Sequence, residues 1–252
     1  MTRRIAETSP KVLARTAGGL YLVVIVTAAF AEIFARGQVI VSGDAAATAA
    51  NILSHESMYR LGGAADLINL SCDTALALIF YELLRPVSRS LSLLAAFFRL
   101  MHVAILSVST LGHFAPLIFL DGAHDLSVFS ADQLHEMALV SLRLHAYGYN
   151  TCLVFFGFSC VLLGYLIYMS NFWPRIFGAL IAIAGLCYLT SSFATFTAPA
   201  FKAQLYPYIL LPGAVAEYSF TLWLLVRGVN AQRWKEQAGV AAQSPSLAST
   251  HS

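Results

Sequence analysis

Six apolar stretches punctuate the chain, at 17–35, 58–84, 91–119, 137–168, 176–197 and 207–228, with polar connections between them. Each approaches or exceeds the roughly 20 residues that cross a hydrocarbon core about 30 Å thick. Lipid offers no partner to open backbone groups, so these segments are predicted to be helices, and none shows the alternation of a barrel strand. The expected fold is all-α: an integral membrane bundle of six transmembrane helices. The second, third and fourth stretches exceed one span and should tilt or project from the bilayer. After the first, Ser42-Gly43-Asp44 offers a cap to a short helix from Ala45 to His55, expected on the membrane surface as a candidate lid. Ser130 and Gln133 have capping-box spacing at the start of the fourth helix.

Charge gives this frame a direction. Ten of the fifteen Lys and Arg residues fall on alternate connections. Arg3, Arg4, Lys11 and Arg15 precede the first stretch, Arg85 and Arg89 follow the second, Arg175 the fourth, and Arg227, Arg233 and Lys235 the sixth. The other connections hold only Arg36, Lys202 and, at a helix mouth, Arg60. The positive-inside rule then puts both termini in the cytoplasm. The expected organisation is a basic cytoplasmic tail at 1–16, a six-helix domain at 17–230 and a disordered cytoplasmic tail at 231–252, rich in Ala, Ser and Gln. The bacterial plasma (inner) membrane is the expected location. Basic residues, an apolar run and Ala29-Phe30-Ala31 also resemble a cleavable signal peptide. Retention is favoured, because the first helix carries Glu32, a carboxylate that belongs with the interior polar residues.

At 252 residues, 58% hydrophobic, with a mean hydropathy of +0.71, the chain is too apolar for a soluble domain. No loop is basic and aromatic enough for nucleic acid, so none is expected as a partner; the lipid bilayer is. The four cysteines lie in apolar stretches without metal-type spacing and read as inert thiols. Tyr81, Tyr165, Tyr168, Trp173, Tyr206, Tyr208 and Trp234, near the ends of the stretches, read as interface anchors.

Ionisable groups inside the oil are the remaining signal, since each costs about 2.5–3.5 kcal/mol at the bilayer centre unless it is paired or used. Helix one holds Glu32. Helix two holds Arg60, Asp66, Asn69 and Asp73, helix three Arg99, His102 and His113, helix four Arg143, His145 and Asn150, and helix six Glu217. Gly62, Asp66, Asn69 and Asp73 form one stripe at helical spacing. Arg99 and His102 are i,i+3 neighbours, and His113 returns to nearly the same face. Glu217 is flanked at i−4 by Gly213 and at i+4 by Thr221. One polar cluster is expected from Glu32, Asp66, Asp73, Arg99, His102, Arg143, His145 and Glu217. Acids and bases nearly balance in it, as in a structural ion-pair lattice. Its histidines fit proton transfer as well.

Several runs resemble the bacterial membrane family catalogued as domain of unknown function 4386. They include Gly43-Asp44 through Leu53, Arg60-Leu61-Gly62 with Ala65-Asp66-Leu67, Cys72-Asp73, Leu83 to Val87 and Leu94 to Leu100. Leu144-His145 with Tyr147-Gly148, Phe155-Phe156-Gly157, Gly164 to Tyr168, Pro174-Arg175-Ile176 and Glu217 before Trp223-Leu224-Leu225 are similar too. The resemblance covers about 12–230. It implies a multi-pass membrane protein and puts Asp66, Asp73, Arg99, His145 and Glu217 in a shared pattern. The family carries no established activity, so no catalytic role follows.

Four readings stay open. The first is small-molecule or proton/ion-coupled binding and transport, with the ligand unnamed; six helices without a visible repeat would then call for a homodimer. A membrane-embedded metal-assisted hydrolase would take ligands from Asp66, Asp73, His102 and His145, although no H-E-x-x-H motif is present. Haem-b electron transfer would pair His102 or His113 with His145. A purely structural lattice in a membrane interaction protein is the fourth. No cofactor is expected. The acidic connection carrying Asp121, His124, Asp125, Asp132, His135 and Glu136 reads as a solvated loop rather than a divalent-ion site.

Overall fold

The computed structural model describes residues 9–121 and 126–248, and His124 and Asp125 of the acidic connection lie outside them. In chain order the helices are α1 (Pro10–Ala29), a π-helical turn (Phe30–Arg36), α2 (Gly37–Val39), α3 (Ala45–Ser54), α4 (Glu56–Leu84) and α5 (Arg89–Asp121). There follow α6 (Ala131–Met169), α7 (Arg175–Thr197), α8 (Pro199–Leu205), a 3-10 turn (Tyr208–Leu210), α9 (Leu211–Val226) and α10 (Ala231–Ala248). Six of these runs are long and apolar enough to cross a membrane: Pro10–Val39, Glu56–Leu84, Arg89–Asp121, Ala131–Met169, Arg175–Thr197 and Tyr208–Val226. No strand occurs among the described residues.

Local chemistry sets several ends. Asp44 caps α3, its Oδ1 accepting from the Ala47 N–H at 2.8 Å. Gly43, at φ 81°, makes the left-handed turn before it, a conformation that costs glycine least. Ser130 and Gln133 form the expected capping box: Ser130 N–H donates to Gln133 Oε1 at 2.8 Å and Gln133 N–H to Ser130 Oγ at 3.3 Å.

The fold divides into two compact units, and the divisions fall inside α4, α5 and α6 and within α1. Of the described residues, unit 1 comprises those up to Leu22, Asp73–His102 and those from Leu153 onward, and unit 2 those within Val23–Cys72 and Val103–Cys152. In unit 2 a core of Val39, Ile52, Tyr59, Leu117 and Leu142 takes one side chain from each of five helices. The short helix α3 joins it by an i, i+3, i+4, i+7 face of Ala45, Thr48, Ala49 and Ile52. In unit 1, α6 and α7 approach backbone to backbone through Gly157, Gly164, Gly178 and Gly185. A Cβ on Gly164 would stand 2.6 Å from the Gly178 carbonyl oxygen, so the seam needs residues without side chains.

Three expectations change. Helix α1 begins at Pro10, inside the stretch assigned to a basic tail. The C-terminal stretch expected to be disordered holds α10. Asn230 Oδ1 accepts from the Arg233 N–H at 3.1 Å, Trp234 Nε1 donates to the Leu83 carbonyl at 2.8 Å, and Gln237 Oε1 accepts from the Asn171 N–H at 3.2 Å. A cap and two tertiary bonds thus offset the ordering cost of a polar segment. Trp173, read as an interface anchor, is buried in unit 1 and donates to the Gly228 carbonyl at 3.0 Å.

Candidate functional site

Each unit contains its own buried ionic constellation. In unit 1, Asp73 on α4 faces Arg99 on α5, and both are 2% exposed. Arg99 Nε donates to Asp73 Oδ1 at 3.0 Å, and Arg99 Nη2 donates to the same oxygen. Three rings enclose the guanidinium, with centroids 5.3 Å (Tyr21), 5.6 Å (Phe80) and 5.4 Å (Phe156) from its carbon. Such cation–π contacts recover part of the hydration that Arg99 gives up. Arg99 also borders a cavity of about 10 Å³, room for one water, whose other walls include Ser92 and Ser159.

The second oxygen of Asp73 is different. Oδ2 is buried without a hydrogen-bond partner among the described residues. His102, one turn beyond Arg99, brings its Nε2 to 4.0 Å from that oxygen, and its ring packs on Phe156 with centroids 4.9 Å apart. In the same unit, half-buried Glu217 on α9 accepts from the Tyr188 hydroxyl at 2.6 Å. Gly213 makes this possible, since a Cβ there would stand 2.2 Å from the Tyr188 hydroxyl oxygen.

In unit 2 the pair is Arg36 and Asp66. Arg36 Nη1 meets Asp66 Oδ2 at 2.6 Å and Nη2 meets Oδ1 at 3.3 Å, a two-pronged contact. Arg36 Nε also donates to Glu32 at 2.9 Å, although the Glu32 side chain is 69% exposed. Both residues ride on the π-helical turn, a distortion frequent at functional positions. Asn69 continues the Asp66 stripe and donates to the Val24 carbonyl at 2.8 Å. Tyr59 and His113 stack with centroids 4.2 Å apart; the Tyr59 hydroxyl donates to the His113 carbonyl, and His113 Nε2 lies 3.1 Å from the Tyr59 carbonyl. His145 Nδ1 lies 2.8 Å from the Ser109 carbonyl. A ring nitrogen facing a carbonyl must carry the proton, so these contacts set both tautomers.

The expected single cluster therefore divides. Asp73, Arg99, His102 and Glu217 fall in unit 1, and Glu32, Asp66, Arg143 and His145 in unit 2. Arg143 is exposed, and no ion pair joins it to a carboxylate among the described residues. Arg60 is exposed and bonds Glu56 one turn earlier at 2.6 Å. Arg36, placed in a connection by sequence, is the buried base of unit 2. Sequence reasoning also missed the aromatic cage, Tyr188, and the structural part that His113 plays. The ligand set Asp66, Asp73, His102 and His145 is split between the units, and no group of three or more His, Cys, Asp or Glu among the described residues could hold a metal ion.

Residues 16–228 match the family described as Domain of unknown function (DUF4386). The chain belongs to that family. An uncharacterized protein of Archaeoglobus fulgidus is 31% identical over 172 residues, covering 68% of this chain and 85% of its own length. No solved structure matches. The six apolar helices make the chain a multi-pass membrane protein of a family without an assigned function.

Proposed function

We propose that this protein couples proton uptake to the binding or passage of a small solute across the membrane, with the exchangeable proton held at Asp73 and His102. The observation that carries the reading is the second oxygen of Asp73, which is buried, has no hydrogen-bond partner among the described residues and stands 4.0 Å from an imidazole nitrogen. An unpartnered buried oxygen costs about 1–3 kcal/mol, and a proton placed on Asp73 or on His102 would let the two groups share a bond. Intramembrane carboxylates and histidines of this kind recur in proton relays. The Arg99 pairing on Oδ1 holds the carboxylate still while Oδ2 remains available. By the positive-inside rule both termini face the cytoplasm, and the plasma membrane is the proposed location.

Infrared difference spectra between acidic and neutral buffer test this on the reconstituted protein. The expected result is a carboxylic-acid carbonyl band that disappears in Asp73→Asn and changes its pH midpoint in His102→Gln. Proteoliposomes of the wild type should take up protons faster than those of His102→Gln. A band unchanged in both variants, or equal uptake, would overturn the proposal and leave a structural lattice.

A further inference from the structure

At one end of unit 1 the chain returns repeatedly to the same place. Arg15 Nη2 donates to the Val226 carbonyl at 3.2 Å, Asn230 N–H to the Phe172 carbonyl at 3.3 Å, Arg233 to the Asn171 carbonyl at 3.3 Å, and Trp234 to Leu83. These bonds gather the start of α1, the α4–α5 turn, the α6–α7 turn and α10. Arg85, Arg89, Arg175, Arg227, Arg233 and Lys235 lie on these segments or on the helix ends beside them, against the carboxylates Glu82 and Glu236. Within this basic end is a groove of about 430 Å³, lined by Arg85, Pro86, Arg89, Trp234, Ala238 and Ala241.

We propose that this groove holds the phosphate headgroup of an anionic phospholipid from the surrounding bilayer. Arg85, just past the end of α4, and Arg89, the first residue of α5, flank the connection at its cationic mouth, and both are exposed. Arg85 shares its charge with Glu82 at 3.3 Å, whereas Arg89 has no carboxylate within ion-pair distance among the described residues. Opposite them, Ala238 and Ala241 on α10 form a low apolar wall that leaves room for the glycerol and upper acyl carbons. Trp234, hydrogen-bonded to Leu83, supplies the indole that sits well at headgroup depth. The positive-inside rule turns this end toward the cytoplasmic leaflet, where anionic lipids raise the return on each nearby Lys or Arg. A soluble acidic partner would match the charge but not the apolar wall beside it.

The test is native mass spectrometry of the full chain in detergent with phosphatidylglycerol, phosphatidylcholine or inorganic phosphate added, alongside thermal unfolding. Phosphatidylglycerol should remain bound and raise the unfolding temperature, and the other two should not. The double variant Arg85→Gln/Arg89→Gln should retain phosphatidylglycerol about thirtyfold less, two charges' worth of attraction. The pair Arg227→Gln/Lys235→Gln removes the same charge outside the groove and should retain it within about threefold of wild type. Equal loss in both double variants would reduce the effect to general attraction and overturn the groove. Equal stabilisation by inorganic phosphate, or equal retention of phosphatidylcholine, would overturn the lipid headgroup as its occupant.

Discussion

Two buried arginines in one chain are neutralised in different ways. Arg99 of unit 1 puts two N–H groups onto one oxygen of Asp73 and spends the rest of its surface on three aromatic rings. Arg36 of unit 2 uses hydrogen bonds, two to Asp66 and one to the exposed Glu32, and no ring faces it among the described residues. Arg36 thus satisfies both oxygens of its main partner, while Arg99 leaves Asp73 Oδ2 open beside His102. A satisfied pair serves to lock helices together. A pair with one open oxygen and a titratable neighbour has capacity left over, and this is why the proton reading rests on unit 1.

The comparison breaks most directly at the arginines. Arg99→Met would leave the buried Asp73 carboxylate without its counter-charge and should cost about 3–5 kcal/mol of stability, measured by denaturant unfolding in mixed micelles. Arg36→Met also strands a buried carboxylate, Asp66, and should cost somewhat less, about 3 kcal/mol, because Asp66 is 8% exposed against 2% for Asp73. The reverse order would show that cation–π enclosure matters less than paired hydrogen bonds. Next in size, Tyr188→Phe removes the hydroxyl bonded to Glu217 and should cost about 1–2 kcal/mol in the same assay, with helical content unchanged by circular dichroism. Smallest, Arg143→Gln should change stability by less than about 0.5 kcal/mol, since its side chain is exposed and in no ion pair among the described residues. A loss above 1 kcal/mol there would mean that unit 2 needs Arg143 as well as Arg36.

Much of the architecture was legible residue by residue. The spans, the Asp44 cap, the Ser130–Gln133 box and the Asp66–Asn69–Asp73 stripe all rest on short-range spacing, which survives in a single sequence. Gly213 beside Glu217 was readable as a small polar seam, though not as space made for Tyr188. Arg36 was hidden because it sits at the polar edge of the first stretch. The π-helical turn changes the angular register there, and the side chain turns inward instead of toward the connection. Tyr21, Phe80 and Phe156 gave no signal, because an aromatic ring in an apolar run has the same local signature whether it meets lipid or a guanidinium. Helix α10 was missed for a related reason: its composition is polar, and the bonds that order it go to Leu83 and Asn171.

The sequence by itself determined that six helices form and which residues cannot face lipid unpaired, because hydrophobic length and the cost of burying charge are properties of each segment alone. Only the tertiary structure decided which acid meets which base. Pairing depends on the rotation and relative height of neighbouring helices, to within the few ångströms over which a hydrogen bond forms or fails. That difference put two donors on one oxygen of Asp73 and left the other to His102.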